Sequence, residues 1–330
     1  MKVRALRSIL FALGVSALAA GAQAAEKIRW LNDWLPAGDK AVIYLGVQEG
    51  LFEDAGIEVE IMTGRGSSDV VSKLGTGAGD MGSGGLSALM QAKAGARVPV
   101  TAVMSIYTKQ PDAVFVAEGS GIENLKDLTG KTLATATFSA SNVTWPLVLE
   151  ANGMAPDAVK VLKVDPGAMG PMFATGRVDG TINWITKLPA FEALASEAGK
   201  KVKVLPWSEY GFNGYGLSIF ASDRLIKDNP ALVKKFLAVY KQALQMAIED
   251  PARAGAALKA MVPDIDADIA AEEFEVSAGL IDTEIADKDG LGAFEPALLK
   301  ETWTWVAKAQ DLPEDALDPE DVVTRDFLPE

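Results

Sequence analysis

Side chains able to hydrogen-bond, stack or carry charge gather in short segments that follow apolar runs. Asn32-Asp33-Trp34-Leu35-Pro36 follows the first run and Gly64-Arg65-Gly66-Ser67-Ser68 the second. Gly82-Ser83-Gly84-Gly85, Phe138-Ser139-Ala140-Ser141-Asn142, Asp165-Pro166-Gly167-Ala168-Met169, Asn183-Trp184 and Glu209-Tyr210-Gly211 continue the series. Gly/Ser segments that feed helices present free backbone N–H groups and the positive end of a helix dipole, which suits an anionic or polar ligand group. Ser67, Ser83 and Ser141 are equally suited to plain N-capping. The rings of Trp34, Phe138, Trp184 and Tyr210, with Trp145 one helical turn further in, suit stacking on flat rings or cations, and equally suit core packing. Trp30, Trp303 and Trp305 fall inside regular elements and read as structural.

Many chemistries are excluded. The 330-residue chain contains no cysteine and no histidine, which removes thiolate nucleophiles, disulfides, Ser-His-Asp triads and nearly all zinc catalysis. Gly64-Arg65-Gly66 is followed by Asp69 where a dinucleotide fingerprint needs glycine, and neither a P-loop nor a G-x-S-x-G elbow is present. Asp264, Asp266 and Asp268 lack the glycine and terminal glutamate of a calcium loop, and Glu272-Glu273 reads as a solvated helix face. No cofactor and no metal is called for. A net charge of −14 argues against nucleic acid, whose binding needs a basic face. Carboxylate-based hydrolysis stays open as an enzymatic alternative.

The elements that must position these residues alternate strand and helix. Residues 1–24 read as a secretory signal, with Lys2, Arg4 and Arg7 ahead of an apolar stretch and Ala22-Gln23-Ala24 as the cleavage pattern. The apolar stretch is shorter than the ~20 residues of a spanning helix, so a soluble, exported protein beginning at Ala25 is expected, and the absence of a lipidated cysteine favours the periplasm. Strands are expected at 27–32, 57–61, 98–106, 132–134, 159–164 and 202–205, and helices at 40–49, 69–74, 86–94, 142–152 and from 170, with Asp39 capping the first. Thr76-Gly77-Ala78-Gly79-Asp80 recurs as Thr175-Gly176-Arg177-Val178-Asp179, each between an apolar helix and a strand. The glycines read as helix stops with positive φ and the aspartates as turn ties. This pattern predicts two similarly built α/β lobes. The last third is helical, from Asn229-Pro230 through about 309, and needs a lobe to pack on.

These segments carry a family resemblance. Asp33-Trp34-Leu35-Pro36, Tyr44, the run from Glu49 to Val59, and Glu209-Tyr210-Gly211 resemble periplasmic solute-binding proteins of ABC importers, in the branch that binds thiamine pyrimidine precursors. Leu125 through Thr132 (LKDLTGKT) is similar to the wider group that includes nitrate, alkanesulfonate and taurine binders. The resemblance implies an α/β periplasmic-binding-protein type II fold. Lobe one would comprise 25–108 with 216–330, carrying the C-terminal helices, and lobe two 109–215, with crossings near 107–111 and 212–216. A monomer closing on a small molecule and docking on a membrane permease is then expected, with no catalysis. Trp34 and Trp184 would sandwich a small heterocycle. Asp33, Asn183 and Glu209 would hydrogen-bond it, and Ser67, Ser83, Tyr107, Phe138, Ser139, Asn142 and Tyr210 would lie at the cleft. The alternative ligand is an alkanesulfonate-, taurine- or nitrate-type anion, with Arg65 as its anchor. Ala37 and Lys40 stand where the branch carries asparagine and histidine. The related synthase consumes an active-site histidine, so its activity is not expected of a chain with none.

Overall fold

Alternating apolar residues and glycine stops build two five-stranded sheets. The computed structural model describes residues 25–329, and the segment 1–24, expected to be an export signal, lies outside the described residues. The strands are β1 (Glu26–Asn32), β2 (Ile57–Thr63), β3 (Met81–Gly85), β4 (Val100–Ser105), β5 (Asp112–Ala117), β6 (Thr132–Ala136), β7 (Lys160–Val164), β8 (Gly180–Trp184), β9 (Val202–Pro206) and β10 (Leu217–Ser222). The first sheet has the order β2-β1-β3-β10-β4 and the second β7-β6-β8-β5-β9. In each, one strand runs antiparallel: β10 against β3 and β4, and β5 against β8 and β9. These two strands follow the crossings between sheets. The crossings themselves lie side by side, with Gly216 N donating to Tyr107 O at 2.9 Å and Tyr107 N to Leu217 O at 2.9 Å.

The repeated motif has the same job in both lobes. Gly77 and Gly176 take φ of 80° and 68° at helix ends, a region open to glycine at no steric cost. The aspartate that follows clasps the neighbouring strand on both sides. Asp80 N donates to Arg29 O at 2.9 Å while its carboxylate accepts Arg29 N at 3.0 Å. Asp179 N donates to Thr132 O at 2.8 Å while its carboxylate accepts Thr132 N at 2.7 Å.

Helices cover the sheets. The helix Ala41–Gln48 lies under the helices Pro230–Glu249 and Pro251–Met261, in one apolar cluster with Trp30, Phe52 and Phe236. Asn229 caps the long helix by accepting Leu232 N at 3.1 Å. The helix Pro296–Ala309 packs on Leu86–Ala96 of lobe one and also touches Ser141–Ala151 of lobe two. Its Trp305 meets Phe212 edge-on at 4.8 Å. No helix among the described residues is long and apolar enough to cross a membrane.

Three expectations need correction. Gly82-Ser83-Gly84-Gly85 is not a loop beyond a strand but the body of β3, central in its sheet and wholly buried. A Cβ on Gly82 would sit 2.5 Å from Leu31 O, and one on Gly84 2.6 Å from the Phe220 ring. Glycine here buys close approach rather than flexibility. Asp39 does not cap the first helix; a short 3-10 turn, Gly38–Lys40, precedes that helix and turns both charged side chains inward. Glu273 is not solvated, being 3% exposed. Its helix, Ala267–Ile281, presses that face onto the Gly38–Lys40 turn.

Gly82→Ala is expected to destabilise the fold by about 1–3 kcal/mol, because the nearest obstructing atom is the Leu31 backbone carbonyl oxygen. Gly95→Ala, where nothing lies within 4 Å, is expected to be neutral or to stabilise by up to ~1 kcal/mol. Chemical denaturation of both variants measures the contrast.

Candidate functional site

The carboxyl ends of β1 and β8 face each other across the lobes and carry most of the site. Asp33 and Trp34 follow β1, and Asn183 and Trp184 end β8. Together with Asp39, Lys40, Gly66, Ser67, Ser139 and Lys187 they line a narrow cavity of about 20 Å³, the room of one or two waters. The lobes interlock around it. Trp34 packs against the lobe-two cluster of Phe115, Met169 and Phe173, while Trp184 packs against the large lobe-one cluster. Ser68 N donates to Phe138 O at 3.1 Å across the gap. Gly66, at φ 140°, allows this approach, since a Cβ there would lie 2.3 Å from Phe138 O.

Charge alternates through the site. Lys40 Nζ lies 2.7 Å from Asp33 Oδ1 and 3.3 Å from Asp39 Oδ2. Lys187 Nζ lies 2.5 Å from Asp39 Oδ1 and 3.1 Å from Glu273 Oε1. The series Asp33–Lys40–Asp39–Lys187–Glu273 thus holds three carboxyl groups and two ammoniums, all buried. Burial by itself raises the Asp39 pKa, but the Lys187 and Lys40 charges overcome it and hold the carboxyl at about 2. At Glu273 burial prevails over Lys187, and its carboxyl titrates above the usual range. Burial pulls Lys40 down, yet Asp33 and Asp39 more than compensate and keep the ammonium charged. Asp33 also accepts Ser67 Oγ at 3.0 Å and Ser83 Oγ at 3.4 Å. Ser67 Oγ in turn accepts Gly85 N at 2.9 Å, which fixes the helix start against β3.

Trp184 is held on three sides. Lys40 Nζ sits 5.0 Å from its ring centre, a cation–π contact from the opposite lobe. Tyr107, fully buried with its hydroxyl 3.2 Å from Ser277 Oγ, meets the indole edge-on at 5.9 Å. Asp112 lies opposite Trp184 in the β5–β8 register and accepts the Ser141 hydroxyl. Burial outweighs the lowering effect of Ser141 and of the Trp184 side chain and pushes the Asp112 carboxyl up to about 7.

The remaining sequence candidates fall elsewhere. Arg65 is exposed and not among the cavity-lining residues, and its backbone N–H bonds Asp69. Glu209 and Tyr210 lie in a turn after β9, the outer strand of its sheet, with Glu209 exposed. Tyr210 packs beside Trp145 and Trp207, away from β1. Phe138 turns its ring outward at 40% exposure and offers only its carbonyl. Asn142 ties the loop by donating to Ala136 O at 2.8 Å, while Ser83 and Tyr107 sit behind the lining and support Asp33 and Trp184. Sequence reasoning missed Asp39, Lys187, Glu273 and Asp112 as site residues, and read Lys40 only as a replacement. A signal existed for two of them. Ala270, Phe274, Ser277 and Ile281 form one helical stripe with Glu273 on it, and Asp112 opens the unbroken apolar run Ala113–Ala117.

The family model described as NMT1/THI5 like matches residues 38–254. The chain belongs to the NMT1/THI5-like family. A Candida albicans 4-amino-5-hydroxymethyl-2-methylpyrimidine phosphate synthase is 26% identical over 264 residues, 76% of each chain. A Brucella abortus protein named as a binding protein is 24% identical over 298 residues, 87% of each chain. Among solved structures, the alkanesulfonate-binding protein SsuA of Xanthomonas axonopodis pv. citri, bound to MOPS, superimposes with a TM-score of 0.71 at 18% identity, covering 91% of this chain and 98% of that one. The periplasmic aliphatic sulphonate binding protein SsuA of Escherichia coli gives 0.66 at 16%, covering 92% and 94%. The NMT1/THI5-like chain therefore has the periplasmic-binding-protein fold.

Asp112 gives this family member a pH signature. The unfolded chain releases that proton near pH ~4, and the folded chain holds it to about 7. Between those values the folded state binds the extra proton, so this contribution is complete below ~4 and is lost as pH rises through 7. Asp112→Asn cannot ionise and is expected to flatten the curve. Its melting temperature should exceed that of the native protein by a margin that grows from ~pH 5 to ~pH 8, at about 1.4 kcal/mol per pKa unit. Calorimetric melts across that range measure it, and a constant margin would show ordinary ionisation.

Proposed function

We propose that this protein is the extracytoplasmic solute-binding component of an ABC importer, capturing a small amine-bearing heterocycle of the thiamine-pyrimidine type by clamp closure. In this reading residues 1–24 direct export to the periplasm. Residues 25–108 with 216–330 and residues 109–215 form the two lobes, moving about the paired crossings. The protein acts as a monomer that presents its closed form to a permease. The two-lobe fold and the family support the binding role, and the absence of histidine speaks against the synthase chemistry of the fungal relatives.

The observation that carries the ligand class is the charge of the cleft. Three carboxyl groups meet two ammoniums, and both ammoniums are already paired. A sulfonate or nitrate would add negative charge beside Asp33 without finding a free cation in the lining, since Arg65 lies outside it. A ring amine or protonated ring nitrogen suits the same position, with Asp33 and Asn183 as acceptors and Trp34 and Trp184 as flat walls. The narrow cavity requires the lobes to part before a ring enters.

The test is a thermal-shift and calorimetry screen of the chain from Ala25 against aminopyrimidines, thiamine, riboflavin, taurine, alkanesulfonates and nitrate. A ligand at 100 times its Kd adds ~2.7 kcal/mol of stability. Stabilisation by aminopyrimidines is expected, with Trp184→Ala weakening binding about five- to 150-fold, from the ~1–3 kcal/mol of ring stacking. Stabilisation by sulfonates alone would transfer the protein to the anion-binding reading.

A further inference from the structure

We propose that Lys187 is the closure-determining residue of this clamp: its ammonium crosses from lobe two and locks between Asp39 and Glu273 of lobe one. The proposal stands on the two-lobe geometry and is independent of which ligand the cleft takes.

The receiving pair is prepared before Lys187 arrives. Glu273 Oε2 accepts Gly38 N at 2.6 Å, which pins the carboxylate to the Gly38–Lys40 turn. Asp39 is steadied by Lys40 from its own lobe at 3.3 Å. Lys187 then meets both carboxylates, and its neighbour Thr186 adds a hydroxyl 3.3 Å from Asp39 Oδ2. Lys187 is 6% exposed, Asp39 6% and Glu273 3%, so the contact is made out of water, where an ion pair is worth most and an unpaired charge costs most. Parting the lobes would leave Glu273 with one N–H donor and no cation, and would leave Lys187 with no carboxylate.

The lock is also mechanically joined to the ligand wall. Trp184 directly precedes the short 3-10 turn Ile185–Lys187. A movement of lobe two that withdraws the Lys187 ammonium from its socket carries the indole with it, away from Lys40 of lobe one. Stacking on Trp184 and seating of Lys187 are therefore coupled, and Lys187, which also lines the cavity, acts on ligand binding through lobe position. It is a positioning residue in that sense.

Small-angle scattering of the ligand-free chain from Ala25 tests this, on the native protein, on Lys187→Met and on the double variant Lys187→Met/Glu273→Gln. The double variant removes one charge of each sign and keeps an oxygen for Gly38 N–H, so it retains its fold where the single variant fails; circular dichroism verifies this. The native chain is expected to scatter as apposed lobes. The folded variants are expected to show a larger radius of gyration, with the closed-to-open ratio falling roughly tenfold or more, because Asp39 loses the Lys187 charge in both and keeps only Lys40. Native scattering that fits parted lobes overturns the proposal. So does a folded double variant whose curve superimposes on the native one. Neither outcome depends on the ligand screen, so failure of the ligand assignment is read separately.

Discussion

Five ionisable side chains are buried together at the junction of the lobes, and everything else in the site is arranged around that constraint. Removing a charge from water costs several kcal/mol. The cluster tolerates it because the signs alternate from Asp33 through Lys40, Asp39 and Lys187 to Glu273. Each carboxylate also takes a second kind of donor: serines at Asp33, Thr186 at Asp39 and the Gly38 amide at Glu273. Removing an ammonium leaves the end carboxylate beside it without a cation, Asp33 for Lys40 and Glu273 for Lys187. The series runs through both lobes, so the same electrostatics that stabilise the cluster also decide how the lobes sit.

The fold supplies the rigidity that such a cluster needs. Both lobes use one plan, in which a glycine stops the helix and an aspartate clasps the adjacent strand, through Asp80 at Arg29 and Asp179 at Thr132. The clasp anchors β1 and β6, whose carboxyl ends lead into Asp33 on one side and the Phe138–Ser141 loop on the other. The antiparallel strands β5 and β10 each begin at a crossing, so Asp112 sits at the first position of β5, directly opposite Trp184. A residue at the end of a crossing and a cleft residue are thereby direct cross-strand neighbours.

Close backbone approach matters as much as side-chain chemistry. Gly82 and Gly84 let β3 lie tight against Leu31 and Phe220, and Gly66 lets the lobes touch at Phe138. The two indoles exchange partners, each packing into the core of the other lobe. The cleft is narrow for that reason, and any ring it accepts must take the place of protein–protein contact already present between the lobes.

Much of this was legible in the residues alone. Period-two and helical apolar patterns, with glycine stops at Gly77 and Gly176, determined the alternation of strand and helix and the two-lobe plan, because local backbone preferences and burial periodicity act over a few residues. Absence of histidine and cysteine bounded the chemistry without any structure. Asp33, Trp34, Ser67, Ser139, Asn183 and Trp184 were readable as cleft residues because strand ends in α/β sheets point there. Which carboxylate meets which ammonium was decided only by tertiary structure. Lys187 and Asp39 are far apart in the chain, Glu273 comes from a terminal helix, and a charge on a helix face looks the same in sequence whether water or another lobe covers it. Glu209 shows the converse, a residue of suitable chemistry that the path of the backbone carries away from the cleft, while Arg65, next to the cavity-lining Gly66, is exposed. Long-range packing set those outcomes, and no local pattern encodes it.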